Sequence, residues 1–213
     1  GTPRKHKGIG TLAQAVGQIA DPDFRLVVVG GASDPSVSAT LDQHAPGRTI
    51  LLPNQPFSAI PEVLACADVV ALPQDVDHPV SFYQLPAKAI DAIAMGVPLL
   101  VSKTPPLMDL VRHGVATLID EKELAKELEQ TVRTGMSAGQ IESRRARFLE
   151  NYSYSAAAEN MRRIIEDTLR PDSKHTHQGT GTRLANAQRM VLGLHKDGPV
   201  RDAAVGHDVV LFW

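Results

Sequence analysis

The chain has 213 residues, a net charge of −2 and a pI near 6.5. That length fits one α/β domain, or one domain and a tail, while the lack of a basic field and an aromatic content of 4% argue against nucleic acid as a partner. With one cysteine, Cys66, an internal disulfide is excluded, and no run approaches the roughly 20 apolar residues of a membrane span.

Taken in chain order, helices and strands alternate. Gly8 to Ala20 carries Leu12, Val16 and Ile19 at helical spacing. Phe24 to Val29 is an apolar run closed by Gly30-Gly31, as expected of a parallel strand buried on both faces. A helix over Pro35 to His44 and a strand over Arg48 to Leu52 follow. Ser58 is placed to cap a helix reaching Ala67, Asp68 to Leu72 reads as another buried strand, and Pro73 to Phe82 as a loop. Cys66, in Leu64-Ala65-Cys66-Ala67, is expected as a small core residue rather than a nucleophile. The next helix opens with Pro86 and closes at Gly96, since Pro suits the first turn and Gly the position past the end. It runs into a strand over Val97 to Val101. Pro106 to His113 reads as a short helix and Ala116 to Ile119 as a short strand. Helices over Glu121 to Thr134, Ser137 to Tyr152 and Ser155 to Leu169 complete the series.

The pattern predicts an α/β fold, a doubly wound parallel sheet over residues 1–170, with ligands bound outside the carboxyl ends of the strands. Pro171 to Thr182 is polar and Gly/Thr-rich and reads as a linker; Arg183 to Leu194 has weak helical character. His207 to Trp213 resembles the first strand of a further, truncated segment, so 171–213 is expected to be a C-terminal tail. The chain starts at Gly1 without Met, and a longer parent chain is expected, whose membrane association this stretch does not indicate. A reducing, cytoplasmic setting is the expectation that goes with the lone cysteine.

Two stretches suggest an anion site. Gly1-Thr2-Pro3-Arg4-Lys5-His6-Lys7-Gly8 puts three permanent cations before a helix start, where dipole and amide N–H groups favour negative charge. In the Pro86 helix, Lys88 and Asp91 stand three apart, on one face near its beginning. Other features carry less. Val29-Gly30-Gly31-Ala32 lacks the rest of a Gly-x-Gly-x-x-Gly pattern, because Ser33, Asp34 and Pro35 follow, which disfavours a nicotinamide or flavin cofactor. Asp75, Asp77 and His78 read as a polar loop rather than a metal site, and His175 and His177 as solvated linker residues. Neither Ser81 nor Ser102 sits in a nucleophile elbow.

In their order and spacing, the basic start Gly1 to Ile9, the strand Arg25 to Gly30, Ala67-Asp68-Val69-Val70-Ala71-Leu72-Pro73 and Asp91-Ala92-Ile93-Ala94-Met95-Gly96-Val97-Pro98-Leu99-Leu100 resemble one family. It is the C-terminal, nucleotide-sugar-binding half of GT-B fold glycosyltransferases, group 1 type, over about Gly1 to Leu169. The resemblance implies a Rossmann-like domain and transfer of a sugar from a nucleotide diphosphate donor, with retention and without a metal or other cofactor. Lys7 matches the family lysine on the diphosphate, while Thr2 stands where its arginine partner would, leaving Arg4 or Lys5 to substitute. Asp91 matches the acid that holds the ribose, and Tyr83 replaces the acid that touches the sugar. Gln84-Leu85-Pro86-Ala87-Lys88 looks like a Pro-x-Lys variant of that loop, with Lys88 reaching phosphate or sugar. Gly1, Pro53, Asn54 and Asp75 complete the implied donor contacts. The acceptor belongs to an N-terminal domain of the parent, and this stretch alone is expected to bind donor weakly and not turn over. A nucleotide-sugar epimerase of the same fold, and a degenerate binding or scaffold module, are the alternatives.

Overall fold

Hydrophobic residues on successive positions of a strand force both faces of a sheet into the interior, and this governs the architecture. A computed structural model describes residues 4–30, 34–169 and 209–212. Six strands, β1 (Arg25–Val29), β2 (Thr49–Leu52), β3 (Val69–Leu72), β4 (Leu99–Val101), β5 (Thr117–Leu118) and β6 (Val209–Phe212), form one all-parallel sheet in the order β2-β1-β6-β3-β4-β5.

Alternate residues feed two cores. Leu26 and Val28 of β1, with Val69 and Ala71 of β3, pack under α1 (Ile9–Gln18), α2 (Pro35–His44) and α6 (Leu124–Thr134). Val27, Val29, Val70 and Leu72 face the other way, under α3 (Ile60–Ala65), α4 (Ala87–Met95) and α5 (Pro105–Arg112). The layered, doubly wound arrangement read from the sequence is therefore the one observed. Two outer helices, α7 (Ala138–Asn151) and α8 (Tyr154–Leu169), follow; α7 opens on a reciprocal capping box between Ser137 and Gln140. Among the described residues no helix is long and apolar enough to cross a membrane.

Contacts fix α1 lengthwise. Arg48 donates to the carbonyls of Val16 and Ile19 at its end, and Gly17 meets α2 so closely that a Cβ there would lie 1.9 Å from the His44 carbonyl oxygen.

Several expectations need correction. Residues 209–212, expected in the tail, form an interior strand of this sheet, between β1 and β3. Ser58 is not a helix cap: it lies within a 3-10 turn, Phe57–Ala59, and Ala59 holds the N-cap position of α3. The loop Pro73 to Phe82 contains a 3-10 turn of its own, Pro79–Phe82, because His78 caps it and Pro79 presets its first φ. Cys66 lies outside the core, half-buried at the end of α3, its Sγ 3.4 Å from the Glu62 carbonyl. Gly1, Thr2, Gly31, Ala32, Ser33, Trp213 and the stretch 170–208, with its expected linker, weak helix and two histidines, lie outside the described residues.

Candidate functional site

In a parallel sheet every strand ends on the same rim, and each helix that feeds a strand begins there. The chain turns outward in opposite directions from the sheet's middle, β1 to β2 on one side and β3 to β5 on the other. Ligand crevices open at such switch points.

At this rim a 3-10 turn, Lys5–Lys7, leads into α1 through Gly8. Gly8 adopts φ 78°, and a Cβ there would lie 1.8 Å from the Pro73 carbonyl oxygen. Only glycine allows this approach, which presses the α1 start against the loop after β3. Two further contacts fasten the same seam. The Asp75 amide donates to the His6 carbonyl at 2.9 Å, and the His6 and His78 rings stack with centroids 4.3 Å apart. The Asp75 carboxylate is turned back onto its own loop, accepting from the Asp77 amide at 3.0 Å.

The start of α4 completes the cluster. Its first helical residue is Ala87, with Pro86 as the N-cap rather than the first helical position, and Gly96 closes it in the left-handed conformation. The first-turn amides of a helix lie at its N-terminal end, and at α4 the Ala89 amide donates back to the Pro86 carbonyl at 3.1 Å. Lys88 is half-buried at this start; burial, and then the charge of Lys7, push its pKa down to about 7. Lys7 is itself held below the usual lysine range, by burial first and by Arg4 second. The Lys7 charge thus acts on Lys88 across the rim, which places the two amines on the same side of the sheet. One turn on, burial raises the Asp91 carboxyl to about 6. His6 is also lowered, by desolvation and then by the neighbouring His78, Lys7 and Arg4. The locus is one of crowded, partly desolvated positive charge at two helix beginnings, which an anion would relieve.

The other expected residues are distributed unevenly. Arg4 is exposed and hands its carbonyl to the Lys7 amide, and Lys5 lies on the turn between them. Pro53 and Asn54 are exposed after β2, on the same rim but at the sheet's edge. Tyr83 is 80% exposed, next to exposed Gln84. Leu85 is partly buried against the core beneath α4 and so anchors the loop. Gln74 was not anticipated: it is buried directly after Pro73, and its Oε1 has no hydrogen-bond partner among the described residues. A polar side chain following a strand-ending proline is the only mark it leaves in the sequence. Among the described residues no group of three or more His, Cys, Asp or Glu gathers as a metal site. A separate hollow, lined by Gly114, Ser137, Arg144 and Arg147, lies where α5 ends and β5 begins and is not part of this cluster.

Comparison with known proteins identifies the family and the fold. The model of the family described as glycosyl transferases group 1 matches residues 1–136. No curated protein sequence matches the chain. Among solved structures, Anabaena HepE, crystallised with UDP-glucose, is similar at a TM-score of 0.62 and 19% identity, over 78% of this chain and 46% of that one. Sucrose-phosphate synthase from Thermosynechococcus elongatus is similar at 0.61 and 22%, over 78% and 43%. WaaG, a glycosyltransferase involved in lipopolysaccharide biosynthesis, is similar at 0.59 and 15%, over 78% and 45%. At these identities the likeness is one of fold, and the chain spans less than half the length of each.

Proposed function

Because the chain belongs to the group 1 glycosyl transferases, we propose that it is the donor-binding half of such an enzyme, the C-terminal part of a GT-B pair. The donor is a nucleotide diphosphate sugar, and the acceptor is held by an N-terminal half, without which turnover does not occur.

The observation that carries this reading is the charge of Lys7 acting on Lys88, the two standing at two helix starts on one rim. When the bond between the anomeric carbon and the diphosphate oxygen breaks, negative charge grows on the leaving diphosphate. Two ammonium groups beside two helix starts would stabilise that charge more than the ground state, which lowers the barrier. Lys88 binds as the cation, taking up a proton from solvent where the unliganded chain has lost it. Asp91, one turn further on, accepts from the ribose hydroxyls. In this reading the leaving group is neutralised by protein cations alone, with no metal, and the sugar is transferred with retention.

A second reading has one observation in its favour. Tyr83, where the family carries an acid toward the sugar, is turned to solvent, which suits a module that holds a nucleotide sugar without transferring it. An epimerase would release free, altered donor.

Titrating UDP, GDP and ADP separately against the 213-residue chain and its Lys7→Ala/Lys88→Ala variant tests the binding site. Loss of two charge-assisted contacts is expected to weaken the preferred diphosphate at least tenfold. Equal affinity in chain and variant would defeat the proposal.

A further inference from the structure

A second group of cations gathers at the other end of the sheet from Lys7 and Lys88. All strands run parallel, so the turn from α5 into β5 lies at their amino ends, as does Gly96 at the close of α4. α7 packs at this end. Arg145 donates to the Met95 carbonyl at 3.4 Å, and Phe148 and Tyr152 on the same face rest against the core. The neighbouring face of α7 carries Ser137, Gln140, Arg144 and Arg147 at helical spacing, and it borders a hollow of about 410 Å³ beside Gly114.

Among the described residues no acidic side chain lines this hollow, and neither Arg144 nor Arg147 takes part in an ion pair. Arg147 is anchored, its Nη1 donating to the His113 carbonyl at 2.6 Å. It passes so close over Gly114, at φ 65°, that a Cβ there would lie 2.1 Å from Nη1. Arg144 is half-buried, and its Nη1 is shut off from solvent with no hydrogen-bond partner among the described residues. A guanidinium that has lost water on one side and gained no acceptor is destabilised. Burial first, and then the Arg147 charge, lower its pKa accordingly. The positive end of α7 adds to the same field. An anion in the hollow removes both penalties at once.

We propose that the hollow binds a phosphate monoester, held by Arg144 and Arg147 beside the start of α7. A monoester carries nearly two negative charges at pH 7 and so matches two guanidinium groups, whereas a carboxylate leaves one of them uncompensated. The volume exceeds that of a phosphate group alone and accommodates a small organic substituent on it. This site shares no residue with the donor site, and each stands or falls without the other.

The test is backbone-amide NMR of the 213-residue chain, titrated with glycerol 3-phosphate at constant ionic strength. Saturating shifts are expected at Gly114, Gly139 and Gln140, and are expected to persist in the Lys7→Ala/Lys88→Ala variant. Arg144→Gln is expected to weaken binding about tenfold with an unchanged melting temperature, because the Nη1 it removes has no partner. Gly139→Glu is a second variant that spares the fold. A Cβ at Gly139 meets nothing within 4 Å, and an acid in the first turn suits a helix start. Its carboxylate is expected to abolish saturation. Shifts confined to Gly8 and Ala89, shifts that grow without saturating, or equal affinity in the intact chain and both hollow variants would each overturn the site. Sedimentation with phosphatidylcholine vesicles, with and without phosphatidic acid, identifies the source of the monoester. Pelleting that needs both phosphatidic acid and Arg144 supports the site with a lipid headgroup as its ligand; saturating shifts without pelleting support it with a soluble one.

Discussion

Lys88 titrates close to physiological pH because burial and Lys7 both oppose its charge. A bound diphosphate reverses the second effect, so the complex holds a proton that the unliganded chain has partly lost above pH 7. Affinity is therefore expected to fall as pH rises from about 7 towards 9, by up to about tenfold per unit. Calorimetry in buffers of different ionisation enthalpy should register proton uptake on binding, and a flat profile with no uptake would separate Lys88 from the ligand. Gly8 offers a second test at this scale. An alanine there meets a left-handed φ and the Pro73 carbonyl at once, and should cost on the order of 3 kcal/mol, measured by urea unfolding. A neutral outcome would mean that the seam between the α1 start and the β3 loop opens without penalty.

At the level of elements, hydrophobic periodicity located nearly every helix and strand between Gly8 and Leu169, since these segments are defined by which faces they bury. Their ends shifted by up to three residues where capping and 3-10 turns overrode the apolar pattern: α4 starts at Ala87 because Pro86 takes the extended N-cap conformation, α3 follows a 3-10 turn that Ser58 joins, and α6 follows one over Glu121–Glu123. The two helix starts that carry Lys7 and Lys88 were legible because helix starts have compositional signals. The seam that unites the two starts was not, since the Gly8–Pro73 approach and the His6–His78 stack join positions far apart in sequence. α7 gives the element-scale prediction. It has no fully buried residue, so its capping box matters, and Ser137→Ala is expected to destabilise by about 1 kcal/mol. The readout is loss of amide protection at the helix start; full retention there would show that packing on α4 alone holds it.

For the molecule as a whole, the sequence pattern identified the layers but not the order of strands. A run such as Val209-Val210-Leu211-Phe212 announces a strand, yet nothing local says which neighbours it will find, here β1 and β3. On the proposed reading the donor sits at the seam between the α1 start and the loop after β3, so ligand and fold are linked. A nucleoside diphosphate at a hundred times its dissociation constant should add about 2.7 kcal/mol of stability, raising the melting temperature by roughly 5–10 °C. The absence of any shift at saturating ligand would mean that the occupied site lies outside the cooperative unit. Gly17 meanwhile leaves the foot of α1 wedged against the His44 main chain, as Gly8 wedges its head against Pro73. A rod jammed at both ends can neither slide nor tilt. On the proposed reading the diphosphate therefore settles on a stationary anvil, and the travel needed to bring sugar and acceptor together belongs to the other half of the enzyme.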